Sequence, residues 1–158
     1  MDPMEETVDS VERPQIYDAK TYNPKQSIGG LLSRVKMKLM ESLEAELEPF
    51  GITAAQYVIL VNLASGVDSA SGLCRSVSYD PGAMTRMIDR LQKKGLVRRV
   101  PCSDDRRVMR LALSEEGKAI YPQLVERAAN VLNASLRGFS RDDVRQLERL
   151  LNRMLENG

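Results

Sequence analysis

The chain has 158 residues, 23 Lys and Arg against 22 Asp and Glu, two Cys, no His and no Trp, so one domain with a core of Leu, Val, Ile, Met and Ala is expected. Without His, and with Cys74 and Cys102 far from any metal-ligand spacing, zinc sites and His-based acid–base catalysis lose their support. No apolar run approaches the roughly 20 residues of a membrane span, and the acidic start "MDPMEETVDS" lacks the pattern of a signal peptide, which points to the cytoplasm.

Residues 1–24 hold six acids and two bases and include Pro3, Pro14 and Pro24. They read as a mobile acidic extension, with "QIYDAKTYNP" ordered through Tyr17 and Tyr22. A long helix is predicted over 25–48, with Ile28, Leu31, Leu32, Val35, Leu39, Leu43 and Leu47 at helical spacing; Pro49 and Gly51 end it. Gly29 and Gly30 lower its propensity; they either permit close approach of another backbone or mark a frayed end. Thr53 and Gln56 form a capping box for a helix over 54–65, closed by Gly66. Residues 70–78, "ASGLCRSVS", give a short helix with Leu73 and Val77 inward.

The helix over 81–94 begins with Asp80 as cap and Pro81 at its first position, and ends at Gly95. Met84, Met87, Ile88 and Leu91 form its apolar stripe. Arg86, Asp89 and Lys93 point away from the stripe, with Thr85 and Arg90 on its flanks. The period then changes from 3.6 to 2. "LVRRVP" and "VMRLAL" are predicted strands, with Leu96, Val97, Val100, Val108, Leu111 and Leu113 inward and "CSDDRR" as the hairpin loop. Ser114 caps a helix running to about 137, with Leu124, Val125, Ala128, Leu132 and Leu136 on one face and Pro122 inside, where it bends the helix or removes a hydrogen bond. After "GFS", Ser140 and Asp143 open a last helix to about 156, striped by Val144, Leu147, Leu151, Met154 and Leu155.

Residues 80–110 carry nine bases and four acids, while 25–79 and 111–158 each balance to zero. Positive charge concentrated on one segment is the footprint of a polyanion partner. Three short helices, the last basic, followed by a hairpin, make a helix-turn-helix with a wing. The pieces "MTRMIDRLQKKGLVRR", "DDRR" and "LALSEEG", within residues 73–117, resemble the multiple-antibiotic-resistance regulator (MarR) family of bacterial transcription factors. The resemblance implies a mainly α fold with a small β-hairpin wing, in which a winged helix-turn-helix is flanked by long dimerisation helices. The implied division is an extension at 1–24, a first dimerisation helix at 25–52, a DNA-binding domain at 53–113 and C-terminal dimerisation helices at 114–158. It further implies a homodimeric repressor on a pseudo-palindromic operator in double-stranded DNA. One departure is "DPGAM" at the start of the recognition helix, where relatives often carry hydroxyl residues.

Gly82 and Ala83 offer no hydrogen-bonding side chain, so base contacts fall to Thr85, Arg86 and Arg90. Gly82 admits a phosphate close to the helix N-terminus. Lys93 and the wing-tip Arg106 and Arg107 complete the expected DNA-binding set, one tip arginine entering the minor groove while Asp105 steadies the wing. Taken singly, Lys93, Lys94, Arg98, Arg99 and Arg110 divide evenly between phosphate contacts and plain surface. Family members commonly take small phenolic or aromatic carboxylate effectors. By that resemblance Tyr17, Tyr22, Ser27, Arg34 and Tyr57 are the candidate effector residues, Arg34 pairing with a carboxylate and a tyrosine stacking on a ring.

Three other functions compete with a ligand-released repressor. A redox-switched repressor would use Cys102, beside the basic wing, or Cys74, whose simpler reading is a buried inert thiol. A non-DNA-binding helical interaction module would leave the basic segment unexplained. An enzyme finds no nucleophile–base pair, metal cluster or phosphate-binding loop, so no cofactor and no metal are expected.

Overall fold

A computed structural model describes residues 15–77 and 79–157; residues 1–14 of the acidic extension, Ser78 and Gly158 lie outside it. The order is α1 (Ile28–Leu47), a 3₁₀ turn (Glu48–Phe50), α2 (Ala54–Ala64), α3 (Ala70–Val77), α4 (Pro81–Lys93), β1 (Val97–Pro101), β2 (Met109–Leu113), α5 (Glu115–Ser135) and α6 (Arg141–Glu156). This is the mainly helical fold with a hairpin wing that the sequence pattern implies. Among the described residues no single helix is long and apolar enough to cross a membrane.

The chain divides into two compact units at Lys36 and Met37. In the first, residues 25–27 form a turn and not the opening of α1. The reason lies in their side chains and neighbours. Buried Ser27 donates its hydroxyl to Pro24 O at 2.8 Å and accepts from Gly30 N at 3.3 Å, making it the cap of the helix. Gly30 answers the open question about the glycine pair: a Cβ there would lie 2.2 Å from Pro24 O, so the turn needs glycine. Gly29 has no comparable neighbour.

The second unit holds the core. Leu43 and Leu47 of α1 are buried with Ile59, Leu60, Leu63, Leu73, Met84, Ile88, Leu91, Leu96, Val97, Leu111, Leu113 and Leu124. The α4 stripe packs as its period requires, with Met84, Ile88 and Leu91 buried and Met87 partly so. Both capping boxes form. Thr53 accepts from Gln56 N while Gln56 Oε1 accepts from Thr53 N, and Ser140 and Asp143 do the same for α6.

β1 and β2 pair antiparallel with Val97 opposite Leu113, Arg99 opposite Leu111 and Pro101 opposite Met109. Val108 is exposed, contrary to its expected inward place. It lies beyond the paired residues, where its N–H donates to Asp105 O and its carbonyl accepts from Cys102 N, closing the loop with the side chain outside. Cys74 is half-buried and not buried as expected, and Cys102 is buried. On α5 and α6, Val125, Leu132, Leu147, Met154 and Leu155 are exposed in the single chain, as side chains of dimerisation helices would be, and Leu124 and Val131 are buried on α5. α5 runs through Pro122 as one helix.

Candidate nucleic-acid interface

α4 is positioned at both ends. Asp80 Oδ1 accepts from Ala83 N at 2.9 Å, satisfying one free amide of the first turn. At the other end Lys94 donates its ammonium to Gly51 O and, at 2.9 Å, to Gln56 Oε1 at the start of α2. The stripe and these two fastenings turn Thr85, Arg86, Arg90 and Lys93 outward. Thr85 is exposed, and its hydroxyl donates back to Pro81 O at 2.8 Å, leaving oxygen lone pairs to accept from outside. Among the described residues the side chains of Arg86, Arg90 and Lys93 have no hydrogen-bond or ion-pair partner within the chain. Gly82 is exposed at the first turn, and a Cβ there would lie 3.5 Å from an Arg86 guanidinium nitrogen.

At the wing tip neither Arg106 nor Arg107 makes an ion pair with Asp104 or Asp105. Asp105 Oδ1 accepts instead from the Arg107 backbone N–H at 2.9 Å, and Asp104 Oδ1 accepts from the Ser103 hydroxyl at 3.4 Å. The acids fold the loop and leave both guanidinium groups exposed and, among the described residues, unpaired. Of the other four cations with evenly divided readings, Arg98 has no partner among the described residues. Lys94 is fastened as above, Arg99 donates to Asp89 and Gln92 of α4, and Arg110 donates to Asp68. Those partners are 7 to 43 residues away, and nothing in the local pattern announces them.

Cys102 sits at the root of the loop. The N–H groups of Asp104 and Asp105, followed by the Arg110 guanidinium, hold its thiol below the ordinary cysteine range. The candidate effector residues fall into two groups. Tyr17, Tyr22 and Ser27 meet in the first unit: the two rings make an edge contact at 5.4 Å, Tyr22 OH donates to Ser27 Oγ at 3.2 Å, and Tyr17 OH accepts from Ile28 N at 2.9 Å. Their polar groups thus build the start of α1. Arg34, further along α1, is exposed and unpaired among the described residues. Tyr57, in the second unit, is half-buried, and burial, then Tyr121, pushes its phenol pKa up, so it stays protonated at neutral pH.

A family model described as the MarR family matches residues 52–109. The multiple antibiotic resistance protein MarR of Salmonella typhimurium is 35% identical over 130 residues, 81% of this chain and 90% of that protein. The chain belongs to the MarR family. It is a MarR-family transcriptional regulator, and its hairpin is the wing of the family's winged helix. Solved structures agree. A cysteine-to-serine variant of Escherichia coli MarR complexed with operator DNA is similar with a TM-score of 0.72 and 32% identity, covering 85% of this chain and 99% of that one. CouR from Rhodococcus jostii, bound to p-coumaroyl-CoA, has a TM-score of 0.73 and 25% identity, covering 85% and 95%.

Proposed function

We propose that this MarR-family regulator is a cytoplasmic homodimeric repressor that binds a pseudo-palindromic operator and is released by a small aromatic carboxylate. The observation that carries the DNA reading is the set of unpaired, outward cations on two adjoining elements: Arg86, Arg90 and Lys93 on α4 and Arg106 and Arg107 on the wing. A helix of this width fits the major groove, and an arginine-tipped ribbon suits a narrow minor groove. Residues 53–113 are the DNA-binding domain in this reading, with Thr85 and Gly82 completing the helix contacts and Asp105 steadying the tip. The operator complex of the E. coli relative supports it.

Exposed apolar side chains support the dimer. α1 exposes Ile28, Leu31, Leu32 and Val35; α5 and α6 expose Val125, Leu132, Leu147, Leu150, Met154 and Leu155, with Phe139 between them. Apolar surface on this scale marks an interface, so 25–52 and 114–158 are the dimerisation segments. The aromatic part of the effector class is supported by the p-coumaroyl-CoA of the R. jostii relative, whose acyl group is a thioester, and the carboxylate part rests on Arg34, exposed and unpaired among the described residues. Arg34 supplies the countercharge.

Selection of fragments from the source genome by the purified protein, followed by gel shift, tests the DNA reading; no enrichment would defeat it. Calorimetry with benzoates, hydroxycinnamates and pyridine carboxylates tests the effector. Binding by no member, or an Arg34→Met variant that responds like the unaltered protein, would defeat that part. A second reading, a redox switch at Cys102, is favoured by the lowered thiol pKa at the wing root. It requires that peroxide treatment weaken DNA binding in the unaltered protein and leave Cys102→Ser unaffected.

A further inference from the structure

The basic segment contains nine cations, and the wing must hold a fixed attitude to α4 if both are to meet one duplex. We propose that Arg99 and Arg110 are positioning residues, which brace the wing against the helix-turn-helix from opposite faces, and that neither touches DNA phosphate. The inference rests on the DNA-binding reading above.

The register sets the geometry. Arg99 stands opposite Leu111, and Arg110 stands opposite Val100 in the next pair, so the two arginines leave the ribbon on opposite faces. Arg99 makes a two-point contact with α4. Its Nη2 donates to Asp89 Oδ1 and its Nε to Gln92 Oε1, both at 3.2 Å, and these partners are three residues apart, one above the other on the helix. On the other face Arg110 Nη1 donates to Asp68 Oδ2. Asp68 lies between α2 and α3, and its own carbonyl accepts from Leu111 N at 2.8 Å. One residue therefore holds two successive positions of β2, once by side chain and once by backbone, which restricts rotation as well as distance.

The planar guanidinium fork suits such two-point bonding better than an ammonium would. All the side chains involved are substantially exposed, so the pairs add little to folding stability. Their effect is on attitude. Each strand has five residues, and at ~3.4 Å per residue the ribbon is a lever of roughly 17 Å. A tilt of ~10° at its root moves the tip by about 3 Å, more than a hydrogen bond tolerates. Arg106 and Arg107 ride on that tip.

The test uses the full-length protein and a duplex it selects. Arg99→Met and Arg110→Met are expected to weaken binding about tenfold, the equivalent of one base contact, at every salt concentration, with the log–log salt slope of the unaltered protein. Arg106→Ala is expected to flatten that slope by about 0.9 for each phosphate left without its cation. Exchanging the charges, Asp68→Arg with Arg110→Asp, restores affinity, which a phosphate contact at Arg110 could not do. A readout without DNA keeps the inference separate from the DNA reading: hydrogen exchange at the Leu111 amide speeds at least about tenfold in Arg110→Met while the Leu60 amide is unchanged. A slope reduced by about 0.9 in Arg99→Met or Arg110→Met, no rescue by the exchange, or unaltered Leu111 exchange would each overturn the proposal, whether or not the DNA reading stands.

Discussion

Gly117 looks from the sequence like a residue to improve. It lies in the first turn of α5, and glycine there costs about 1 kcal/mol of helix propensity relative to alanine. The structure reverses the sign. A Cβ at Gly117 would lie 2.1 Å from Leu96 O and 3.1 Å from Leu96 C, both of them backbone atoms. An ordinary C···O approach is about 3.3 Å, so α5 and the start of β1 must part by about 1 Å. That joint is held by Ser114 N donating to Leu96 O at 3.0 Å and by the Ser114 hydroxyl donating to Gly95 O. Breaking both bonds costs about 1–3 kcal/mol, and a buried carbonyl left without a partner adds about 1–3 more. Against the propensity gain of about 1 kcal/mol, Gly117→Ala is expected to destabilise the fold by about 1–5 kcal/mol. Urea unfolding followed by circular dichroism measures this at unchanged m-value. An alanine variant as stable as the unaltered protein, or more so, would refute the close-approach argument.

Arg86→Ala is expected to weaken operator binding by about 1–3 kcal/mol if its contact is bidentate to a base; equal affinity in a folded variant removes Arg86 from the interface. Deleting residues 140–158 removes α6 and its exposed apolar stripe, and sedimentation should then show monomers or aggregates; an intact dimer would refute the seam. The depressed thiol pKa of Cys102 means its thiolate is populated at lower pH than an ordinary cysteine's. The pH profile of its alkylation, read by mass spectrometry, should therefore have its midpoint below that of a model thiol; a midpoint at or above the ordinary value contradicts the wing-root geometry.

What was legible in the sequence was periodic or local. The α4 stripe, the Thr53–Gln56 and Ser140–Asp143 boxes and the change of period at Gly95 each place their signal within a few residues, and each element formed where that signal lies. The long-range fastenings were not legible. Lys94 to Gly51, Arg99 to Asp89 and Arg110 to Asp68 join residues 43, 10 and 42 positions apart, and no local pattern distinguishes a cation that reaches inward from one left in solvent. At Val108 the inward expectation runs against the alternation: Leu111 and Leu113 share a face with residue 109, so Val108 falls on the other side and is exposed. In the extension, the tyrosines suggested a ligand and the structure engages their hydroxyls at the start of α1.

The partition of charge sets a limit on how strongly salt can affect DNA binding. All four acids of residues 80–110 are engaged within the chain: Asp80 caps α4, Asp89 holds Arg99, and Asp104 and Asp105 fold the wing loop. Three of the nine cations are fastened as well, which leaves Arg86, Arg90, Lys93, Arg98, Arg106 and Arg107 outward. Each phosphate neutralised contributes about 0.9 to the slope of log K against log salt. Six contacts per chain therefore cap this segment's share at about 5, or about 11 for a dimer. Replacing Arg106 and Arg107 together by Ala should lower the dimer's slope by at least about 2 if one tip arginine of each chain touches the backbone. Fluorescence anisotropy on a labelled duplex across a salt series gives both numbers. Equal slopes for the double variant and the unaltered protein would show that the tip does not meet DNA. A total slope well above the cap, reduced on replacing Lys94, Arg99 or Arg110, would show that cations bonded within the free protein let go of their partners to bind phosphate.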